Sequence, residues 1–299
     1  MEKLSCMVMI AIIILLSGCR TKPSGVSRCI DFDFTQEMKD VHTMGLLKDC
    51  TIVPLEKQND SVLIGEIDKV IFYETRLYVA TFSPEQAVYI FNLQGKLLHK
   101  ISRKGRGAEE YLQLSDMFID SRNRTLNLLS RIDEKLLVFD VDEYRLVRLS
   151  VFRKQFVKMV SLENGYIGYM GNHSQDKNQP YNLWAMNSRY EIESQYMKID
   201  SRWESKMAST HSLSTYQDSL YYIAPTDFNI YRCQGKDMCV DHTVRFGKFH
   251  LPAEQLSYDE YKEYTRNPDY ITTIEKFQEN SGFLYLLGAG SRSELLVPV

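Results

Sequence analysis

Residues 100–120 read KISRKGRGAEEYLQLSDMFID. Arg103, Lys104 and Arg106, with two glycines among them, stand just before a stretch that alternates apolar and polar side chains. Three readings compete: a phosphate-cradling loop, a nucleic-acid contact and a hinge between repeated β-units. A phosphate loop needs G-x-x-x-x-G-K-[ST] between a strand and a helix, and neither that spacing nor a helix is present. Nucleic acid is a poor partner for a chain with 36 basic and 39 acidic residues and a formal charge of −3, because no long-range positive field draws phosphates in. The hinge remains. Gly105 and Gly107 let the chain turn with positive φ, Tyr111 is placed to pack between units, and Arg103-Lys104-Arg106 reads as a solvated turn.

Outward from the hinge the pattern recurs. IDKVIFY (67–73), RLYVATF (76–82), QAVYIFNL (86–93) and GKLLHKI (95–101) precede it. LSDMFID (114–120), TLNLLS (125–130), KLLVFDV (135–141) and YRLVRLS (144–150) follow. Phe91-Asn92 and Phe139-Asp140 stand 48 residues apart, with Met186-Asn187 a further 47 on. A looser third copy is FVKMVSL, GYIGYM, YNLWAMN and YEIESQYMKI; a fourth is HSLSTYQ, SLYYIAP, FNIYRC and CVDHTVRF. Four short strands repeating every 45 to 50 residues or so predict an all-β fold, a β-propeller of four-stranded blades. One meander cannot cover both of its own faces, and radial packing against similar neighbours does so without long free edges. A β-sandwich would not explain the period. An aromatic content of 12% suits strands.

The hinge also resembles the junction of NHL repeats. Gly105, Gly107, Glu110, Tyr111 and Met117-Phe118-Ile119-Asp120 stand at the matching places, while Leu114 and Ser102 replace that family's Pro and first Gly. More widely, TIVPLE (51–56), IGEIDKVIFYETRLYVA (64–80), VYIFNLQGKLLHKISRKGRGAEEY (88–111), DFNIYRC (227–233) and VRFGKFHLP (244–252) resemble the six-bladed, NHL-like propeller lipoproteins of gut-type Gram-negative bacteria. The resemblance spans about residues 50–288 and implies an exported propeller in which Thr51–Leu55 closes the ring by joining the last blade. The strand pattern gives four blades, a helix-prone insert, and FLYLLGAG (283–290) as part of a fifth. Six blades need on the order of 60 to 80 more residues. The expectation is a propeller domain over 50–299, incomplete at the C-terminus, with exposed strand edges.

The first residues follow other rules. Lys3 precedes an apolar run, Met7–Leu16, too short to cross a bilayer comfortably. It ends in Leu16-Ser17-Gly18-Cys19, which resembles the bacterial lipobox. Residues 1–18 then form a lipoprotein signal peptide, Cys19 is lipidated, and 19–49 hold the modified Cys and a tether containing RTKPSGVSR. The alternative is an ordinary secretion signal in which Cys19 is incidental. The resemblance implies two or three acyl chains, which suits an anchor, since one chain binds only marginally. Arg20, rather than an acidic residue, follows the Cys. The expected location is the cell envelope, lipid-anchored at the outer membrane.

An oxidising envelope permits disulfides. Cys233 and Cys239 flank QGKDM and are a candidate bridge; free thiols are the alternative. No C-x-x-C pair exists, and His42, His99, His173, His211, His242 and His250 show no ligand spacing. His211 opens a predicted inner strand. A G-x-S-x-G elbow is absent. Asp68, Asp116, Asp120, Asp140, Asp142 and Asp218 recur at strand ends, either as turn caps or as channel-lining ligands for a cation such as Ca²⁺. LPAEQLSYDEYKEYTRNPDYI (251–271) breaks the β pattern and predicts a helical insert at about 252–267, opening at Pro252. Tyr258, Tyr261 and Tyr264, joined by Trp203 in the polar DSRWESK, form a candidate ligand-binding rim for a glycan or peptide; packing of the insert onto the blades is the alternative. Trp184 reads as blade core. The expected function is a membrane-anchored binding module for a glycan, peptide or envelope protein, with no cofactor and no catalysis. Two alternatives are a metal-assisted hydrolase or lyase in the channel, and a non-functional fragment.

Overall fold

Each predicted meander folds as an antiparallel sheet. The structure is a computed structural model that describes residues 27–32, 51–56, 64–207, 212–216, 219–234, 237–267, 270–280, 283–289 and 294–298. After β1 (Arg28–Asp31), the first blade is β2 (Lys69–Tyr73), β3 (Arg76–Thr81), β4 (Ala87–Asn92) and β5 (Leu97–Ile101). The second is β6 (Leu114–Asp120), β7 (Thr125–Ser130), β8 (Lys135–Asp140) and β9 (Leu146–Val151). The third is β10 (Lys158–Leu162), β11 (Gly165–Tyr169), β12 (Tyr181–Met186) and β13 (Ile192–Lys198). The fourth is β14 (Leu213–Tyr216), β15 (Ser219–Ile223), β16 (Asn229–Gln234) and β17 (Asp237–Arg245). A three-stranded sheet follows: β18 (Thr273–Asn280), β19 (Phe283–Ala289) and β20 (Glu294–Pro298). The fold is an all-β propeller with four four-stranded blades.

The blades bury one another. Tyr78, Ala80, Val88 and Ile90 of the first blade interlock with Met117, Leu126, Leu128, Leu137 and Phe139 of the second. Phe118, Leu129, Leu136 and Val138 meet Met159, Tyr166, Trp184 and Met186 of the third. Ile167, Tyr169 and Leu183 meet Leu213, Leu220 and Tyr222 of the fourth. Tyr221, Ile223, Ile230 and Val244 meet Ile274 and Phe277 of the last sheet. At the axis Asp116, on inner strand β6, reaches both neighbouring inner strands. Lys69 Nζ of β2 donates to its Oδ1 at 2.6 Å, and the Met159 amide of β10 donates to its Oδ2 at 3.0 Å. Lys158 Nζ continues the chain of contacts to the Leu213 carbonyl of β14 at 3.1 Å.

The repeated Phe-Asn and Phe-Asp pairs cap the third-to-fourth strand turns. Asn92 Oδ1 accepts from the amides of Gln94 and Lys96, Asp140 Oδ1 from Asp142 and Glu143, and Asn187 Oδ1 from Arg189 and Glu191. Asp and Asn favour such turns because their side chains replace a backbone partner.

The hinge of residues 102–113 is held by Tyr111, fully buried between the first two blades. Its hydroxyl donates to the Gln86 carbonyl at 2.7 Å, and its amide donates to the Arg103 carbonyl at 2.9 Å. Neither Gly105 nor Gly107 has the positive φ expected of it. They make room: a Cβ on Gly105 would lie 2.0 Å from Glu110 Oε2, the carboxylate that accepts from the Gly107 amide at 2.7 Å.

Four expectations change. Thr51–Leu55 does not join the last blade. It lies along the first, where the Glu56 amide donates to the Gly95 carbonyl at 2.7 Å and Leu55 packs on Val79, Tyr89 and Phe91. Gly95, at φ 79°, leaves space there for the Pro54 carbonyl. Arg28–Asp31, expected within the tether, is a strand running parallel to β17. The insert does open at Pro252, but with a short 3₁₀ turn (Ala253–Gln255), and its α-helix α1 (Tyr258–Thr265) begins only after Ser257, because Ser257 and Glu260 cap each other reciprocally. The Cys233–Cys239 bridge is excluded by register: Cys233 faces Met238 and Cys239 faces Arg232, so the two side chains leave opposite faces of the hairpin.

Trp203 is not an exposed contact. It is 3% exposed and meets the rings of Tyr261 at 5.0 Å and Tyr258 at 6.2 Å edge-on, with Leu251 and Ala253 around it. It pins the insert to the blades. Tyr261 is buried, Tyr258 is half-buried, and Tyr264 is exposed against Tyr270. The expected rim of four aromatics is therefore mainly a core.

Two outcomes follow. Burial alone would raise the Asp120 pKa, but hydrogen bonds from the Tyr166 hydroxyl and from Asn123 outweigh it and hold the carboxyl below its usual range. A depressed folded pKa stabilises fully above the unfolded value of about 4 and is lost as pH falls through the folded one. Asp120→Asn should lower stability at pH 7, and its deficit should shrink below about pH 4 in urea melts across that range. Trp203→Ala should cost about 3–5 kcal/mol and open Lys262 and Arg266 to trypsin, whereas Tyr264→Ala should leave both unchanged.

Candidate functional site

A groove of about 910 Å³ lies where the third blade, the fourth blade and the insert meet. Its walls come from the second-to-third strand connections of both blades (170–180 and 224–228), the segment after β13, and the end of β17. All of these leave the same end of the blades, the end that also carries the 102–113 hinge.

The floor is a buried amide network. The Asn172 amide donates to Asn182 Oδ1 at 2.7 Å, Asn172 Nδ2 to the Trp203 carbonyl at 2.7 Å, and Asn182 Nδ2 to the Tyr222 hydroxyl at 3.0 Å. In the fourth blade Asp227 accepts from the Asn229 amide at 2.9 Å and from Asn229 Nδ2 at 2.7 Å, while the Tyr231 hydroxyl donates to its other oxygen. Thr243 Oγ1 donates to Asn229 Oδ1 at 2.7 Å. Burial raises the pKa of both Tyr222 and Tyr231, and for Tyr231 the bond to Asp227 adds to it. Both phenols are thus neutral donors at physiological pH. On the rim Arg202 grips Asp200 and lowers its pKa, so that carboxylate stays charged. Lys198 and Arg245 are exposed at the rim.

The backbone here adopts conformations that side chains disfavour. Asn172, Met197 and Thr226 have φ of 59°, 57° and 62°. For a β-branched Thr this is a rare state, and such residues gather at functional sites.

The axial channel is a smaller space of about 370 Å³ lined by Lys69, Ile71, Ile119, Lys158, Ser161 and Thr215 among others. The recurrent acids do not converge on it. Asp116 is paired with Lys69. Asp68 accepts from the Phe82 amide, Asp120 and Asp140 cap turns, and Asp142 is held by Arg124 and Arg76. Among the described residues no three His, Cys, Asp or Glu are grouped to hold a metal, and no helix is long and apolar enough to cross a membrane. Cys19, His42, His211 and Asp218 lie outside the described residues.

Of the aromatic positions singled out in the sequence, Trp203 lines this groove, from its buried side. Sequence reasoning missed Asn172, Asn182, Tyr222, Asp227 and Asn229. The pairs Gly171-Asn172 and Asp227-x-Asn229 are turn signals, and the unusually long connection over 170–180 was the visible hint.

Among solved structures, the chain is similar to a Bacteroides fragilis protein described as exported, with a TM-score of 0.71 and 16% identity over 90% of this chain and 76% of that one. It is similar also to BamB of Moraxella catarrhalis (TM-score 0.40, 10% identity, 74% and 54% of the two chains). A third likeness is to a protein of unknown function from Bacteroides caccae (TM-score 0.33, 12% identity, 44% and 48%). No curated protein matches the chain in sequence. The family model described as a domain of unknown function (DUF4934) matches residues 28–295, from β1 through every blade to β20. The chain belongs to this family, DUF4934.

Proposed function

We propose that the protein is a lipid-anchored binding module of the cell envelope that takes its ligand in the groove between the third and fourth blades. The observation that carries this reading is the groove itself: a cleft of mixed polar and apolar lining built from two blades and the insert, with strained backbone on its walls. Its volume is at the upper end of the usual range for ligand sites, about 300–1,000 Å³. The anchor rests on Lys3, the Met7–Leu16 run and the Leu16–Cys19 tetrapeptide, with Cys19 as the acylated residue. An exported neighbour of the same fold agrees with that leader. Binding is favoured over channel chemistry because the recurrent carboxylates already serve as turn caps and ion pairs, which leaves them poor cation ligands.

We read the ring as the six-bladed, NHL-like type. Val70 and Phe72 on β2 are 53% and 62% exposed, whereas their counterparts in the second blade, Met117 and Ile119, pack between blades. In that type of ring another sheet covers this face.

The test uses the full-length chain, made in a Gram-negative host fed tritiated palmitate. The label should enter the protein and vanish in Cys19→Ser. The membrane-anchored protein should retain solubilised envelope polysaccharide or peptide, and a paired Asp200→Ala/Arg202→Ala variant should retain several-fold less. An unlabelled protein would refute the anchor. Equal retention by the two forms would refute the groove.

A further inference from the structure

We infer that the axial channel is a second binding site, separate from the groove, and that it takes a small organic carboxylate. The inner strands β2, β6, β10 and β14 all contribute to its lining. Each stands at the end of its sheet, so one edge of its backbone has no strand partner. The structure already shows how a carboxylate is held between such edges. Asp116 takes one bond from an ammonium, Lys69 Nζ at 2.6 Å, and one from an edge amide, that of Met159 at 3.0 Å. One blade on, the same two kinds of donor recur. Lys158 Nζ reaches across to β14 and donates to the Leu213 carbonyl at 3.1 Å. That carbonyl orients the ammonium and brings no formal charge to it. Backbone groups of an antiparallel pair alternate between the two edges of a strand. Thr215, two residues after Leu213 on β14, therefore turns its amide to the same edge as that carbonyl.

The lining narrows the class. Among the described residues its ionised side chains are Lys69 and Lys158, and no acid lines the space. Asp116 lies behind it, 4% exposed and bound on both oxygens. These three groups together carry one net positive charge, which suits a monoanion. Two carbonyls that would suit a cation are occupied, Leu213 by Lys158 and Ile119 by Ser161 Oγ at 3.1 Å. Phosphate is recognised by forked arginines or nests of backbone amides, and no arginine lines this space among the described residues. Ile71, Ile119 and Val160 stand half-buried in the same walls, with the hydroxyls of Ser214 and Thr215 nearby. A ligand there meets aliphatic surface beside an ammonium. The complement is an acid with a short aliphatic or aromatic body. The volume of about 370 Å³ is at the small end of the usual range for ligand sites, about 300–1,000 Å³, and holds one small molecule rather than a polymer.

The full-length protein, held in detergent, is titrated by ligand-observed NMR with benzoate and hexanoate, with their neutral amides benzamide and hexanamide, and with inorganic phosphate. Both acids should bind, and the amides and phosphate should bind roughly tenfold more weakly or worse. Lys158→Gln removes the charge and should weaken the acids about tenfold, with a thermal melt confirming the fold. Thr215→Trp places a bulky ring at an exposed position of the channel wall, should abolish binding, and keeps the test decisive if Lys158→Gln does not fold. The paired Asp200→Ala/Arg202→Ala groove variant should bind the acids as the unaltered protein does, so failure of the groove reading leaves this site standing. Equal binding of acids and amides would overturn the carboxylate assignment, and so would phosphate bound as tightly as the acids. Acid binding that survives both channel variants, or that is lost in the groove variant, would overturn the location. Binding of neither acid would overturn the site.

Discussion

A four-stranded meander has two faces and can hide neither by itself. That constraint shapes this molecule more than any single bond. Each junction between sheets is a row of interleaved aliphatic and aromatic side chains, and the second, third and fourth blades each contribute one face to the junction before them and the other to the junction after them. At the axis the same dependence takes an electrostatic form. The Asp116 carboxylate, almost fully buried, is compensated by an ammonium from the preceding blade and an amide from the following one. A buried charge with partners of this kind is tolerable, and without them it is strongly unfavourable. The second blade is thus stable in company and not alone.

The architecture could be read from the sequence because strand alternation and turn chemistry repeat together. Asn92, Asp140 and Asn187 recur at the same place in three blades because the same turn needs the same side-chain acceptor. Other features leave no such trace. Strand β1 joins the fourth blade through backbone pairing, and Arg-Cys-Ile-Asp has no alternation to announce it. The hinge glycines suggest φ freedom, yet their use is space for the Glu110 carboxylate, which only coordinates reveal. Trp203 sits among charged neighbours in the chain and looks exposed; tertiary packing of the insert buries it. The cysteine pair has a hairpin spacing, but one residue of register decides the face and rules out a bridge.

The groove was the least legible part for a related reason. Repeats make blades alike, and a site arises where they differ. The second-to-third strand connection of the second blade is residues 131–134, while that of the third blade runs over 170–180. The extra length, the segment after β13 and the capped helix of the insert raise walls that the first two blades lack. The side chains that matter are amides and hydroxyls with ordinary roles in turns, and their convergence depends on two blades standing at the right angle.

The most direct measurement of this account is a double-mutant cycle on Lys69 and Asp116, residues 47 apart in sequence and assigned to adjacent inner strands. Lys69→Met, Asp116→Asn and the double variant are compared in urea unfolding. Radial packing of successive blades predicts a coupling of about 1–3 kcal/mol. Simple additivity, within about 0.5 kcal/mol, would mean that the two strands do not meet at a common axis and would contradict the fold on which the groove depends.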